Sequence, residues 1–327
     1  MSAEHLNFPL LGHLPSVSRM VMGCMGFGGD WNESPIEEHE IAKAHAAVEA
    51  ALDIGITLFD HADIYTLGKA EQTMGILFKR SPSLRDRLLL QTKCGIRFAD
   101  ATGPKRYDLS FQHIVTSLDN SLRRLNVDHV DILMLHRPDP LMEPVEIARA
   151  WEQIRASGKA RFLAVSNMQS GQMQALAGAL PEPPIANQLE MSLLKLDWLE
   201  AGTCFNDDQS VPAVNWANTL DYCQRHGVQL QAWGALARGI FSGSRTNDTP
   251  AHLAQTAQLV QTLAAEQAVS PEGIVLAWLL MHPAQIQPVI GTTHPARIRA
   301  CGDALRVRLS REQWYALYVA ARGRELP

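Results

Sequence analysis

Four side chains able to move protons stand where the hydrophobic pattern predicts that strands end. Asp60 closes an apolar stretch, and Tyr65 follows it in "FDHADIY"; Lys93 closes "LLLQTK", and His136 follows "DILML". A buried acid at a strand end needs a positive partner or water, so we expect Asp60 to pair with Lys93. An ammonium beside a phenol lowers the pKa of the phenol, and a histidine could position a substrate oxygen beside that hydroxyl.

This set of residue types favours proton transfer in a redox reaction. The sequence pairs them with no nucleophile and no metal-ligand cluster, so carbonyl reduction or oxidation with an external hydride carrier fits better than hydrolysis, and no metal is expected. Alone, a strand-end Asp can cap a helix, a His can be a core residue and a Tyr can be packing. Lys93 is harder to explain structurally, because a lysine after such an apolar run is seldom unpaired.

Eight short apolar runs alternate with helix-periodic segments and predict the scaffold that positions these residues. The runs are residues 19–22, 57–60, 88–92, 130–135, 160–165, 184–188, 229–232 and 286–290. The clearest amphipathic segments are residues 35–52, 110–125, 143–157 and 213–226, with Gly or Pro at most junctions. Eight β-then-α units without a long linker favour an α/β fold of the (β/α)8 TIM-barrel type over an open doubly wound sheet. Barrel chemistry lies at the carboxyl ends of the strands, where the four residues stand.

The whole chain, residues 1–327, is predicted to form one barrel domain, since such barrels often exceed 250 residues as a single unit. Three segments exceed a plain β/α unit. Residues 8–17, "FPLLGHLPSV", could form a hairpin; residues 237–250 form a long connection; and residues 311–321 are predicted to be a tail helix.

Composition excludes several classes of partner. A net charge of −5 without Lys/Arg runs gives no electrostatic footprint for nucleic acid or an anionic membrane. Five widely spaced cysteines without a C-x-x-C pair argue against a disulfide framework or a zinc knuckle. The N-terminus lacks a signal-peptide pattern and the longest apolar run, residues 274–281, is too short to span a bilayer, so we expect a cytoplasmic protein.

The glycines of "MGCMGFGGDW" do not predict a dinucleotide-binding Rossmann unit. Gly26, Gly28 and Gly29 do not give the G-x-G-x-x-G spacing that opens a helix within a βαβ unit. A turn that glycine permits, with a packed Trp, is an alternative interpretation of the segment.

Five motifs in order carry a resemblance to a known family. "DHADIY", "QTKCG", "LMLHRPD", "AVSN" and "NQLEMS" resemble the aldo-keto reductases, and "HADIY" with "HRPDPLM" resembles a bacterial oxidoreductase branch with a His-Arg-Pro-Asp motif, over residues 19 to 321. The resemblance implies Tyr65 as general acid, Lys93 as the group that tunes it, Asp60 as the partner of Lys93, and His136 as the orienter of the carbonyl. It implies NADPH-dependent reduction of a small-molecule aldehyde or ketone by a monomer or weak homo-oligomer.

The resemblance also implies how the cofactor NADPH/NADP+ is held. Ser166, Asn167 and Gln188 would hydrogen-bond the nicotinamide carboxamide, and Trp233 would stack on its ring. The remaining implied contacts are Gly26 and Phe27 beneath the ribose, Gly234, Leu236, Arg238 and Gly239 in the pyrophosphate loop, and Trp31 in the substrate pocket. Two departures are His61 and "WGALARG", where many members have Thr and an aromatic followed by Ser-Pro-Leu.

The segment after the last strand, "PVIGTTHPARIRA", predicts an anion site. Gly291 permits a close turn, Thr292 and Thr293 offer hydroxyls, and Arg297 follows in the first turn of a helix. A guanidinium favours a 2′-phosphate, and the resemblance assigns Arg297 to it, so we expect NADPH to be preferred over NADH. The alternative is that Arg297 caps its own helix or pairs with a neighbouring acid.

Two other functions stay open at this point. A barrel lyase or aldolase could use Lys93 as a Schiff base, although Tyr65 and His136 would then be unexplained. A regulatory barrel could retain cofactor as a redox sensor with weak turnover and a stable protein partner. The loops that would select a substrate mark no particular sugar, steroid or short aldehyde.

Overall fold

The computed structural model describes residues 7–204, 218–244 and 248–327. Its strands, in chain order, are β1 (Val21–Gly23), β2 (Leu58–Asp60), β3 (Leu89–Cys94), β4 (Ile96–Arg97), β5 (Arg106–Tyr107), β6 (Val130–Leu135), β7 (Ala160–Ser166), β8 (Ala186–Glu190), β9 (Gln229–Trp233) and β10 (Gln287–Ile290). Eight of them close into a parallel barrel in the order β1-β10-β9-β8-β7-β6-β3-β2, while β4 and β5 form an antiparallel ribbon after β3. The predicted (β/α)8 barrel is confirmed.

Helices follow the barrel strands and cover the outside. They are α1 (Glu38–Asp53), α2 (Lys69–Arg80), α3 (Phe111–Leu125), α4 (Pro144–Ala156), α5 (Ser170–Ala179), α6 (Asp197–Thr203), α7 (Thr219–Arg225), α8 (Ala251–Gln267), α9 (Pro271–Leu280), α10 (Pro295–Cys301) and α11 (Arg311–Arg322). The helices predicted at residues 35–52, 110–125, 143–157 and 311–321 match α1, α3, α4 and α11 within a few residues. The start of the predicted helix 213–226 lies outside the described residues, which contain α7. That one domain spans residues 1–327 stays a prediction.

Local sequence signals explain where several helices begin. The Ser110 hydroxyl accepts a hydrogen bond from the backbone N–H of His113 at the start of α3. Ser310 and Gln313 form a reciprocal capping box at the start of α11. Such caps satisfy backbone N–H groups that have no partner inside the helix.

Close packing of α2 on α3 holds the segment that carries Tyr65. A Cβ on Gly75 would lie 2.1 Å from the carbonyl oxygen of Arg124, so only glycine lets the helices approach this closely. The buried Glu71 of α2 accepts hydrogen bonds from Thr92 at 2.6 Å and from Arg124 at 2.7 Å. This network ties the helix after the Tyr65 loop to β3, the strand that carries Lys93.

The N-terminal segment plugs the bottom of the barrel, so the hairpin predicted at residues 8–17 is wrong. Pro9–Gly12 form a 3-10 helix, and Leu10 and Leu14 are buried against barrel-facing residues such as Leu58 and Ile132. Backbone hydrogen bonds from His13 and Leu14 N–H to the carbonyl oxygen of Leu10 continue this compact turn, where a hairpin would need paired extended strands.

The predicted long connection 237–250 begins with a 3-10 helix at Ala237–Ser242, and residues 245–247 within it are not among those described. Throughout the described ranges, no helix has both the length and the apolar character required to cross a membrane.

Candidate active site

Three of the four proton-transfer residues meet at the carboxyl end of the barrel in one hydrogen-bonded chain. The Lys93 ammonium donates to Asp60 Oδ2 at 2.7 Å, to the Tyr65 hydroxyl at 3.0 Å and to the carbonyl oxygen of His61 at 3.0 Å. Asp60 and Lys93 are buried, at 2% and 0% exposure. The predicted pairing of Asp60 with Lys93 is therefore present, and the ammonium uses all three of its donors.

His136 completes the group from the neighbouring side of the barrel. Its ring lies edge to face with the Tyr65 ring, with centroids 6.0 Å apart and an interplanar angle of 84°. Its Nδ1 is buried and has no hydrogen-bond partner among the described residues. Burial, with the positive charges of Lys93 and Arg137, lowers the pKa of His136 to about 2. The imidazole is therefore neutral at physiological pH and can hydrogen-bond a substrate oxygen without carrying charge.

The ionisation of Tyr65 differs from the sequence-based expectation. Lys93 lowers the pKa of the phenol as expected, but burial raises it more, and the pKa of Tyr65 stays above its usual value of 10. Burial would lower the pKa of Lys93, but Asp60 and Tyr65 together raise it. Lys93 is thus an ammonium and Tyr65 a neutral phenol, which suits proton donation.

The residues predicted to hold a nicotinamide lie together on the ends of β7, β8 and β9. Asn167 Nδ2 donates to Ser166 Oγ at 2.7 Å, and the indole Nε1 of Trp233 donates to Asn167 Oδ1 at 3.2 Å. Ser166 in turn donates to the carbonyl oxygen of Gln188 at 2.9 Å. Asn167 adopts a left-handed backbone conformation with φ of 59°, a conformation asparagine tolerates better than most residues. These bonds pre-order a polar edge beside the Trp233 ring.

The residues predicted to contact the ribose and the phosphates also converge. A Cβ on Gly26 would lie 2.9 Å from Thr293 Cγ2, so the loops after β1 and β10 touch. A Cβ on Gly239 would lie 3.0 Å from an Arg297 nitrogen, which places backbone against the guanidinium. Arg297 also contacts Ser242 Oγ and Glu272 Oε1, both at 3.4 Å. The partly exposed guanidinium, hydroxyl and glycine backbone form a cradle that fits the phosphate end of a dinucleotide.

The alternative for Arg297, pairing with a neighbouring acid, is therefore present in part. The Arg297 to Glu272 distance of 3.4 Å is long for a charge-assisted bond, and the Arg297 side chain is 41% exposed. An incoming phosphate could compete for the same guanidinium.

The remaining predicted contacts lie in loops at the same end of the barrel. Gly291 and Thr292 follow β10, and Gly234, Leu236 and Arg238 line the turn after β9. The Phe27 side chain is buried against His61, with ring centroids 6.3 Å apart, so only its backbone can approach a ligand.

Trp31, predicted to line the substrate pocket, is 48% exposed and lies edge to face with Phe98, with ring centroids 6.4 Å apart. The sequence did not single out Phe98. It sits just after β4, and no spacing rule relates this ribbon to residue 31.

Sequence reasoning also missed three polar residues near the site. Gln91 and Gln231 face each other inside the barrel and join Asp60 to Gln188. Arg137 lies close enough to lower the pKa of His136, and none of the ion pairs within the described ranges includes it. The available signal was a glutamine within each of two buried strand runs, "LLLQT" and "QLQAW".

The match to known proteins agrees with this architecture. The model of the Aldo/keto reductase family matches residues 19–320. The chain belongs to the aldo/keto reductase family. As an aldo/keto reductase it is an oxidoreductase of the class that reduces carbonyl groups.

Among curated proteins, the chain is 38% identical over 316 residues to a 6-dehydroglucose reductase of Agrobacterium fabrum, covering 95% of this chain and 96% of the relative. It is 34% identical over 318 residues to the oxidoreductase YdhF of Escherichia coli, covering 96% of each. A glycerol dehydrogenase of Gluconobacter oxydans, AKR11B4, shares the fold with a TM-score of 0.75 at 23% identity, over 93% of this chain and 91% of that structure.

The geometry argues against the Schiff-base alternative for this aldo/keto reductase. A lysine that attacks a carbonyl must be a neutral amine, which requires a lowered pKa. Lys93 has a raised pKa and donates all its hydrogens to Asp60, His61 and Tyr65. No electron pair is left for attack while these bonds hold.

Proposed function

We propose that the chain is an NADPH-dependent reductase that converts an aldehyde or ketone to an alcohol, with Tyr65 as the general acid. The observation that carries this proposal is the chain of hydrogen bonds from Asp60 through Lys93 to the Tyr65 hydroxyl, with His136 beside it. This arrangement holds a neutral phenol ready to donate a proton next to a neutral imidazole.

When bound, the nicotinamide supplies the hydride. The chain's own residues do the rest: His136 would orient the carbonyl oxygen, and Tyr65 would donate its proton to that oxygen as negative charge develops on it. Lys93 lies 3.0 Å from the Tyr65 hydroxyl and would stabilise the phenolate that remains. Asp60 keeps the ammonium in place and balances its buried charge. Burial of Asp60 and Lys93 excludes water, so their charges act in a low dielectric, where electrostatic interactions are stronger than in water.

The cofactor would lie across the barrel mouth between two predicted sets of contacts. Ser166, Asn167, Gln188 and Trp233 suit the nicotinamide end, and Arg297 with the Gly239 turn suits the phosphate end. Both sets stand at the same end of the barrel as Tyr65, which supports a single extended site.

A polyhydroxylated aldehyde is the substrate class we propose first. Two relatives, at 38% and 37% identity, are named 6-dehydroglucose reductase. The rim offers aromatic faces at Trp31 and Phe98 that can pack on a sugar ring, and Arg137 beside His136 offers donors for hydroxyls.

The assay follows NADPH absorbance with a panel of sugar aldehydes, simple aldehydes, ketones and quinones. Turnover of at least one carbonyl compound, with the highest kcat/KM among the sugar aldehydes, is expected. Weak turnover with every compound, together with tight cofactor retention and a stable protein partner, would favour the regulatory alternative.

Replacing Arg297 with Ala should weaken NADPH binding selectively. The guanidinium would be the main fixed charge beside the 2′-phosphate, a contact worth about 1.5–3 kcal/mol, so Kd for NADPH should rise about tenfold or more. Kd for NADH, which lacks that phosphate, should change little. Both constants can be measured by fluorescence titration.

Arg299→Ala is the matched control, because Arg299 lies on the same helix but pairs with Asp53 at 2.8 Å on the outer surface. It should leave both affinities unchanged. Equal losses for NADPH and NADH in Arg297→Ala would show that Arg297 is structural, through Glu272, and would remove the argument for NADP specificity.

The pH profile of carbonyl reduction should show no titration of Tyr65 or His136 between about pH 6 and 9. The pKa of His136 lies at about 2, and burial keeps that of Tyr65 above its usual 10, so neither changes charge in this range. Asp63, two residues before Tyr65, has a pKa raised to about 7, mainly by burial and to a lesser extent by the negative charge of Glu71.

Asp63→Asn removes that titration, so kcat/KM of this variant should be flat in the window, measured at constant ionic strength. A rise or fall of kcat/KM near neutral pH that persists in Asp63→Asn would contradict a neutral His136 and a protonated Tyr65.

A further inference from the structure

A chain of buried glutamines crosses the barrel interior beneath the candidate site. Gln91 of β3 donates through Nε2 to Asp60 Oδ1 at 2.6 Å and to Gln231 Oε1 at 3.0 Å. Gln231 of β9 returns a bond from its Nε2 to Gln91 Oε1 at 3.2 Å. Both side chains are fully buried. The interior of a (β/α)8 barrel is normally filled by branched apolar residues, so the two paired amides require an explanation.

Gln231 also forms hydrogen bonds with two further glutamines. Gln231 Nε2 donates to Gln287 Oε1 at 3.0 Å, and Gln287 Nε2 donates to the carbonyl oxygen of Ser18 at 2.7 Å. Gln188 Nε2 donates to Gln231 Oε1 at 3.1 Å. Gln231 therefore links Asp60, through Gln91, to Gln188. Its own side-chain amide donates two hydrogen bonds and accepts two.

The ends of the network determine which way each amide points. The Asp60 carboxylate, paired with Lys93, only accepts, so Gln91 must turn its Nε2 toward it; the Ser18 carbonyl likewise only accepts, so Gln287 must turn its Nε2 toward it. Gln287 Oε1 then faces Gln231 and requires its Nε2, which leaves Gln231 Oε1 as the acceptor on the other side.

Gln188 is oriented by this acceptor. Its Nε2 must face Gln231 Oε1, because the reverse orientation would set two carbonyl oxygens against each other in a buried space. Its own Oε1 receives no hydrogen bond from any residue in the described ranges. That oxygen is the free acceptor on β8, next to the polar edge that Ser166 and Asn167 form at the end of β7.

We propose that Gln231, held by Gln91 and Gln287, is a positioning residue that fixes Gln188 as a hydrogen-bond acceptor for the N–H of the nicotinamide carboxamide. The inference rests on the proposed function, since it concerns the same cofactor end of the site. The network also ties that acceptor to Asp60, so a single polar layer aligns the cofactor end and the proton-donating end of the site.

The test compares the binding of two oxidised cofactors by fluorescence titration. In 3-acetylpyridine adenine dinucleotide phosphate a methyl group replaces the amide NH2 of NADP+, so a fixed acceptor loses its donor. Wild type should bind NADP+ about tenfold more tightly than this analogue, the effect of leaving one buried acceptor unsatisfied. Thio-NADP+, which keeps the NH2, should not be discriminated in this way.

Gln231→Leu should reduce that ratio to about threefold or less, because Gln188 can then turn its amide over. Gln229→Leu is the matched control: Gln229 lies on the same strand, is equally buried, and bonds the carbonyl oxygens of Leu230 and Gln285 instead of the network. It should lower the melting temperature and leave the ratio at the wild-type value.

Melting temperature is measured for each variant, and Gln231→Met, which fills the same volume without a strong acceptor, replaces Gln231→Leu if the latter does not fold. A wild-type ratio near one, or a ratio that Gln231→Leu and Gln231→Met leave unchanged, would overturn the positioning role while reduction by wild type still stands. Absence of any NADP+ binding by wild type would overturn the proposed function itself, and this inference with it.

Discussion

Tyr65→Phe is expected to lower kcat for carbonyl reduction by about 10²- to 10⁴-fold, the usual contribution of a positioned general acid. The hydroxyl donates its proton only as the hydride arrives, so the affinity for NADPH should stay nearly unchanged. The ring remains, and with it the packing against His136 and the Lys93 ammonium, which lies 4.9 Å from the ring centroid. Single-turnover rates and fluorescence titration measure the two quantities separately.

Tyr222→Phe is the matched control for this change. Tyr222 is also a buried tyrosine, on α7, and contacts His226 outside the candidate site. It should keep the wild-type kcat. A Tyr65→Phe variant that retained nearly full kcat would show that another group supplies the proton.

Lys93→Met is expected to be as damaging to kcat and also to destabilise the fold. The phenol loses the adjacent charge that lowers its pKa, so proton transfer becomes harder. Asp60 loses its 2.7 Å partner while buried at 2% exposure, and removing one partner of a buried ion pair costs about 3–5 kcal/mol. Urea unfolding reports the free energy of unfolding, and steady-state kinetics report kcat and KM.

The double variant Asp60→Asn with Lys93→Met separates the two effects. Without the uncompensated carboxylate, most of the lost stability should return, because Asn can still accept from Gln91, whereas kcat should stay low. If Lys93→Met only raised KM, the role of Lys93 in tuning Tyr65 would be wrong. Trapping of Lys93 by borohydride in the presence of substrate would revive the Schiff-base alternative.

The order of elements was accessible from the sequence because it depends on local patterns. Apolar runs bounded by Gly and Pro, with helical periodicity between them, predict β-then-α units, and eight such units without a long linker favour a closed barrel over an open sheet. The segment 8–17 was misassigned because its burial depends on a long-range contact. Leu10 and Leu14 are covered by strands far away in sequence, and no local alternation marks a plug.

Strand ends also made the pairing of Asp60 with Lys93 predictable. Neighbouring parallel strands bring their carboxyl ends together, and an acid and a lysine on β2 and β3 must then compensate each other. The pKa of Tyr65 was not predictable in the same way. It depends on the balance between desolvation and one nearby ammonium, and the depth of burial is decided by how the loops close over the barrel.

The sequence by itself determined the alternation of eight apolar runs with helical segments, from which the barrel follows. It also determined which residue types stand at the strand ends, and therefore the Asp60–Lys93 pair and the kind of proton chemistry available. Tertiary structure alone decided which distant amides meet. Gln91 and Gln231 lie 140 residues apart and touch only because the closed barrel turns β3 and β9 toward a common interior. Local propensity carries no information about contacts across a closed sheet, since they depend on strand stagger and closure. The orientation of Gln188, and with it the proposed alignment of the cofactor, is a property of that closure.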